Sequence, residues 1–99
     1  MKKGSNGKKV IVRTYSAGVH YGTLISREGK EAVLGNARRL WSWAGAASLS
    51  QLAAIGTSRP SDCKFSVRVP EIVLTEAIEV ITCAPEGVKN IEVVSEWKS

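Results

Sequence analysis

A chain of 99 residues with 43% apolar and 23% charged side chains has room for one domain and excludes a second core. The same proportions exclude a globally disordered chain. No apolar run approaches the length of a membrane span, and residues 1–7 carry charge without an apolar segment behind them, so we expect neither a membrane protein nor a secretory signal.

The net charge of +5 is unevenly distributed along the chain. Residues 1–45 carry nine Lys and Arg against two Glu, whereas residues 46–99 carry five basic against seven acidic residues. This asymmetry favours an anionic partner for the first half, or charge pairing between the two halves or between subunits. A solvated basic face without any ligand has the same pattern.

The sequence predicts a flexible basic arm over residues 1–7 and a single domain over residues 8–99. Up to residue 43 this domain is predicted to consist of short strands. β-branched and alternating residues predict strands over 8–15, 19–26, 31–34 and 37–43. Glu28-Gly29 suits a hairpin turn, and Gly35-Asn36 indicates a kink or a second tight turn. Such a succession resembles a meander that curls into a small barrel.

The second half predicts one helix and further strands. Ser48 and Gln51 form a capping box, and Gly56 suits the C-terminal end of a helix over about 48–55. Strands are predicted over 64–69, with Pro70 at its end or edge, and over 71–83 with a bend near residues 76–77. The tail after Pro85 predicts at most a short strand. The expected class is α+β and mostly β: a small SH3-like or meander-type antiparallel sheet or partial barrel with one short helix.

Residues with catalytic or metal-binding chemistry are few. His20 is the only histidine and Asp62 the only aspartate, and neither Cys63 nor Cys83 lies in a metal-binding spacing. The chain lacks a GxSxG elbow, a P-loop and a GxGxxG motif. We therefore predict no enzyme, no cofactor and no metal, and expect both cysteines to be small buried residues or free thiols.

Aromatic and basic side chains are concentrated between residues 37 and 43. On a strand, Arg39, Trp41 and Trp43 share one face, and Arg38 lies on the other. Indoles and guanidinium groups suit a planar anionic ligand, although the same tryptophans suit the edge of a core. We predict the following ligand-binding residues: Arg13, Tyr15, His20, Tyr21, Arg38, Arg39, Trp41 and Trp43.

Four segments, VRTYSAGVH (12–20), GTL (22–24), NARRLW (36–41) and LTEAIEV (74–80), resemble a family of small tailed-bacteriophage proteins of unknown function. The resemblance implies a phage origin and a location in the host bacterial cytoplasm. With the charge and aromatic pattern it suggests a homo-oligomeric, non-enzymatic accessory protein that binds a small phosphorylated, nucleotide-type ligand and sequesters a bacterial immune signal. The alternatives are a nucleic-acid-binding protein that uses Lys2, Lys3, Lys8 and Lys9 with the same arginines, or an inhibitor of a host protein through its Trp/Arg surface.

Overall fold

The computed structural model describes residues 7–98. Its elements, in chain order, are β1 (Lys9–Thr14), β2 (Val19–Glu28), β3 (Glu31–Ser42), α1 (Leu49–Ile55), a 3-10 turn (Pro60–Asp62), β4 (Lys64–Phe65), β5 (Val69–Leu74), β6 (Ala77–Thr82) and α2 (Pro85–Glu92). The expected α+β, mostly β architecture is confirmed. Apart from Gly7, the predicted basic arm lies outside the described residues. Within residues 7–98, none of the helices is long and apolar enough to cross a membrane.

The first three strands form the expected antiparallel meander. β1 pairs with β2 and β2 with β3. Glu28 lies opposite Glu31, so the two-residue hairpin loop is Gly29-Lys30, one residue later than the predicted Glu28-Gly29. The interruption predicted at residues 35–36 is a kink within one continuous strand. Asn36 there has a φ of 47°, and the pairing with β2 shifts register at Gly22. The kink redirects the second half of β3, which carries Arg38 to Ser42.

The sheet curls into an open barrel. β5 pairs with the first half of β3 and β4 with its second half, whereas β6 pairs with β1 at the other side of the sheet. Only Thr75 and Glu76 separate β5 from β6, so the chain bends there from one side of the sheet to the other. This confirms the bend predicted for 71–83. Because β5 and β6 do not pair in the described part of the chain, the barrel is not closed.

Both faces of the sheet are buried, each by a different apolar cluster. One cluster lies on the face away from the helices: Val10, Val12, Leu24, Ala32, Leu34, Ala37, Leu74 and Ala77. The other joins the opposite face to both helices: Ile11, Tyr21, Leu40, Leu52, Ala53, Cys63, Phe65, Cys83, Ile91 and Val94. β1 contributes to both clusters by strand alternation, which explains why it is almost wholly buried.

The two helices differ in how well the sequence predicts them. α1 begins where expected, with the Ser48 hydroxyl accepting a hydrogen bond from the Gln51 N–H, and Gly56 ends it. The prediction of only one helix and a short strand in the tail is wrong, because residues 85–92 form α2. Pro85 fits the first helical turn, and Ile91 packs into the helix-side core although its β-branched side chain is typical of strands.

The strand predicted over 64–69 is also wrong in extent. β4 covers only Lys64–Phe65, and the chain leaves the strand at Ser66, whose hydroxyl accepts a hydrogen bond from the Arg39 N–H at 2.8 Å. Pro70 does not end a strand but lies inside β5, which within residues 7–98 pairs only with β3. Proline is tolerated there because the outer side of an edge strand makes no ladder hydrogen bonds.

Candidate functional site

Strand alternation separates the two adjacent arginines of β3. Arg38 and Leu40 point into the helix-side core, with Arg38 only 1% exposed, whereas Arg39 and Trp41 are exposed on the other face. From Arg38 to Trp41 the alternation is the one that the sequence predicts. It gives the two arginines different environments. Trp43, beyond the end of β3, does not share the exposed face as predicted but is half-buried against the helix-side cluster.

Arg38 is a structural residue whose guanidinium binds backbone carbonyls. Its Nη1 donates to the carbonyls of Ile91 (3.1 Å) and Val94 (3.0 Å), at the C-terminal end of α2. The other donors bind three further carbonyls, those of Phe65, Ser66 and Ser95, at 3.1 to 3.4 Å. A cation is favourable at a helix C-terminus because the last carbonyls lack partners in the helix. Arg38 thus joins β3 to the C-terminal end of β4 and to the chain around the end of α2.

The predicted ligand-binding role of Arg38 does not agree with this geometry. Its guanidinium also lies over the Phe65 ring, 5.4 Å from the ring centroid, and its donors are already used. Burial, followed by the positive charge of Arg68, lowers the pKa of Arg38. We therefore remove Arg38 from the candidate ligand-binding residues.

Tyr21 is likewise buried, and its hydroxyl is engaged. It donates to Glu92 Oε2 at 2.7 Å, and Arg68 Nη2 donates to Glu92 Oε1 at 3.0 Å. Burial, and then the hydrogen bond and charge of Glu92, raise the pKa of Tyr21. Burial alone would raise the pKa of Glu92, but the hydrogen bonds from Tyr21 and Arg68 and the charges of Lys9 and Arg68 lower it overall. This cluster fixes α2 to the sheet, so Tyr21 is not available to a ligand.

The remaining exposed part of β3 borders a surface groove with a volume of about 510 Å³. The groove is lined by Ser16, Ala17, Gly18, Val19, Arg39, Leu40, Trp41 and Trp43. It brings three predicted residues together with the turn between β1 and β2. Two indoles, one guanidinium and an exposed backbone turn therefore share one concave surface. No carboxylate lines the groove among residues 7–98.

Arg39 also lines a second, smaller cavity of about 230 Å³. This cavity is bordered by His20, Ala37, Arg38, Arg39, Ser66, Val67, Val69 and Ile72. None of the ion pairs formed among residues 7–98 includes Arg39. The Arg39 guanidinium is thus an exposed cation between two concavities and without a protein anion.

His20 supports the turn that lines the groove. Its ring is 1% exposed, and its Nε2 lies 2.8 Å from the Ala17 carbonyl, to which it donates. The acceptor assigns the proton to Nε2. Burial, the largest cause, and the nearby charge of Arg39 lower the pKa of His20, while the Ala17 carbonyl opposes this shift. His20 is therefore neutral at pH 7 and positions the backbone of the groove.

A comparison with protein families matches residues 7–91 to the model of a domain of unknown function, DUF6948. The chain belongs to this family. The match includes every residue that lines the groove and ends within α2. No curated protein and no solved structure matches the chain.

Two predicted residues, Arg13 and Tyr15, lie inside the family match but outside both concavities. Arg13 Nε donates to Glu79 Oε1 at 3.0 Å in an exposed ion pair between the two halves of the chain. Tyr15 is 80% exposed and does not border the groove. Pairing between the halves, one of the alternatives for the charge asymmetry, thus occurs at Arg13 and at Lys9, whose Nζ lies 3.7 Å from Glu92.

Trp97, which lies beyond the family match, contacts the candidate site. Its ring stacks on Trp41 with centroids 6.2 Å apart and an interplanar angle of 17°. Lys64 Nζ lies over the Trp97 ring, 5.3 Å from its centroid. No sequence pattern connects positions 41, 64 and 97, because antiparallel pairing of β3 with β4 and the position of the tail after α2 bring them together.

Both cysteines are buried and free, as expected. Burial raises the pKa of Cys83 to about 11, which keeps it a thiol at neutral pH. Among the residues that the structure describes, no group of three or more His, Cys, Asp or Glu side chains could hold a metal ion.

Because His20 is buried, we predict that the free energy of unfolding depends on pH. Because its pKa in the folded protein is below 6.5, the unfolded chain binds a proton first as the pH falls. We expect the free energy of unfolding to decrease below about pH 6.5, by about 1.4 kcal/mol for each pH unit between the two pKa values. Urea unfolding at about pH 7.5 and 5.5 measures this decrease. His20→Gln can still donate to Ala17 but does not titrate, so an equal decrease in this variant would contradict the assignment.

Proposed function

We propose that this protein is a non-enzymatic binding protein that holds a small phosphorylated, nucleotide-type ligand in the groove between β3 and the β1–β2 turn. One observation supports this above all: Arg39, which forms no ion pair among residues 7–98, lines the same groove as Trp41 and Trp43. The groove volume of about 510 Å³ is in the range of small-molecule sites.

The chemistry of the lining residues supports a planar anion. Purine and pyrimidine rings stack on indole faces, and such stacking contributes about 1–3 kcal/mol per base. Trp41 is 60% exposed and Trp43 half-buried, so a ring can reach both indoles from solvent. Arg39 supplies up to five N–H donors in a planar arrangement that matches phosphate oxygens.

The alternative places anion binding on the lysines of the basic arm together with Lys8 and Lys9. Lys2 and Lys3 lie outside the described residues. Lys9 Nζ donates to the Thr23 hydroxyl at 2.9 Å and is paired with Glu92, so it has protein partners. A nucleic-acid-binding role for the arm stays a prediction, tested by removing residues 1–7 and measuring binding at several salt concentrations.

The proposal includes a biological setting and an oligomeric state. We infer an origin in a tailed bacteriophage and a location in the host bacterial cytoplasm, where the protein would sequester a nucleotide signal of bacterial immunity. Self-association is part of the proposal because the edge strand β5 and neighbouring β6 expose Val69, Val73 and Ile78. Native mass spectrometry of the protein from infected cells would give the number of subunits and any retained ligand.

The alternative function, inhibition of a host protein, would instead require Trp41 as an anchor. In that case Trp41→Ala would abolish capture of the host protein.

Ligand binding is tested by calorimetric titration and thermal unfolding with AMP, cyclic AMP and ADP-ribose. A ligand at about 100 times its dissociation constant is expected to stabilise the folded protein by about 2.7 kcal/mol. Arg39→Met is expected to weaken binding by about tenfold or more, because hydrogen bonds to charged groups contribute about 1.5–3 kcal/mol. The matched control is Arg27→Met, an exposed arginine of β2 outside both concavities.

The expected result is loss of affinity in Arg39→Met and wild-type affinity in Arg27→Met. Absence of binding by all three nucleotides, or equal affinity of the Arg39 variant and the wild type, would overturn the proposed site.

A further inference from the structure

We propose that the site continues past the groove onto Trp97 and Lys64, so that a short single-stranded oligonucleotide binds there more tightly than a mononucleotide. This inference rests on the proposed function, because Trp41 borders the groove and also contacts Trp97. Residues 64–98 would then contribute a second stacking position.

The geometry of the two indoles leaves aromatic surface uncovered. Their planes are within 17° of parallel, but the centroid distance of 6.2 Å is much larger than the about 3.5–4.0 Å of optimal carbon–carbon contact. The rings therefore overlap only in part. Trp41 and Trp97 are 60% and 48% exposed, which is unusual for two adjacent tryptophans unless another molecule covers them.

Cations lie at both ends of this aromatic surface. Arg39 lies in the groove next to Trp41, and Lys64 lies over Trp97. Neither forms an ion pair within residues 7–98. Glu96, which precedes Trp97 in the sequence, already accepts hydrogen bonds from the Arg68 backbone N–H and guanidinium, both at 3.2 Å. The free charge of the surface is thus positive, as a phosphate backbone requires.

The backbone at Trp97 is held in place by the rest of the chain. The Trp97 backbone N–H donates to the Phe65 carbonyl at 2.8 Å, and the preceding Glu96 is bound by Arg68. Arg38 donates to the Ser95 carbonyl at 3.4 Å. A preorganised aromatic surface binds bases without the entropy cost of ordering a loop. Base stacking also accepts every base, so we expect little sequence preference.

Fluorescence anisotropy with labelled oligothymidylates tests the inference. The probes are thymidine monophosphate and oligomers of about two, four and eight nucleotides, each at two salt concentrations. We expect affinity to rise about tenfold or more from one nucleotide to four, since a second base stacks. Trp97→Ala is expected to remove this gain in affinity with length. Lys64→Met, a second variant at an exposed position, should weaken oligomer binding and reduce the salt slope by about one.

The outcomes separate this inference from the proposed function. Suppose that mononucleotides bind through Arg39. The extended site is then refuted, and the groove proposal stands, if affinity does not rise with oligomer length in the wild type. The same holds if affinity rises in Trp97→Ala and Lys64→Met as much as in the wild type. If neither mononucleotide nor oligomer binds, both proposals fail. Val93→Ala is the matched control for the tail, because Val93 is 75% exposed and lines neither concavity.

Discussion

Arg38→Met is expected to lower the free energy of unfolding by about 3–5 kcal/mol. The substitution keeps an unbranched chain of similar length but removes the donors that bind five backbone carbonyls. Each buried carbonyl left without a donor costs about 1–3 kcal/mol. The sum is smaller than five such costs, because the Phe65 and Ile91 carbonyls also accept backbone N–H groups, those of Trp97 and Val94. Since a small domain has only about 5–15 kcal/mol of stability, we expect a large loss.

The matched control is the neighbouring Arg39→Met, which removes the same charge from the same strand. Arg39 is exposed, and no protein carboxylate pairs with it in the described chain, so its replacement should change stability by less than about 0.5 kcal/mol. Arg38→Lys should recover only part of the loss, because an ammonium group has three donors rather than five. Urea unfolding of the three variants measures these differences. Equal effects of the two methionine substitutions would refute the structural role of Arg38.

Gly87→Ala is expected to destabilise the protein by about 1–3 kcal/mol, and more if α2 separates from α1. A Cβ atom at position 87 would lie 2.1 Å from the Ala53 carbonyl oxygen and 3.0 Å from that of Leu52. The Ala53 carbonyl cannot move freely, since it accepts a hydrogen bond from the Ala84 N–H at 2.9 Å. In a helix alanine is more favourable than glycine by about 1 kcal/mol. At an exposed helix position the same substitution would therefore stabilise the protein.

Lys89→Ala provides the control, since Lys89 is an exposed residue of the same helix. Its replacement should change the melting temperature by a few degrees at most. Thermal unfolding of both variants, followed by circular dichroism, measures the difference. A melting temperature of Gly87→Ala at or above that of the wild type would show that the two helices are not in close contact.

The fold could be predicted where local patterns determine it. Alternation defines β1 to β3, the Ser48 cap defines the start of α1, and the two glycine-containing segments at 29 and 35 mark the hairpin and the kink. α2 was missed because its β-branched residues suggest a strand, whereas the contact with α1 through Gly87 decides the structure. Tertiary contacts therefore override local preference in the C-terminal part.

The candidate site could be predicted only in part. Periodicity shows that Arg38 and Arg39 lie on opposite faces of a strand, but it does not show which face is inside. An arginine becomes a core residue here because the carbonyls at residues 65, 66, 91, 94 and 95 converge on it from distant parts of the chain. Trp97 was missed for the same reason, because only the folded structure brings it to Trp41.

The proposed function depends on the difference between Arg38, which binds backbone carbonyls in the core, and Arg39, the proposed ligand-binding residue. The most direct test is a ¹⁵N-resolved NMR spectrum of the arginine Nε–H, tryptophan indole and backbone N–H groups, recorded with and without ADP-ribose. We predict an Arg38 Nε–H signal that is protected from exchange and unchanged by the ligand, with shifts confined to Arg39, Trp41, Trp43 and the turn at 16–19. A ligand-dependent change at Arg38, or shifts that avoid the groove, would contradict the account.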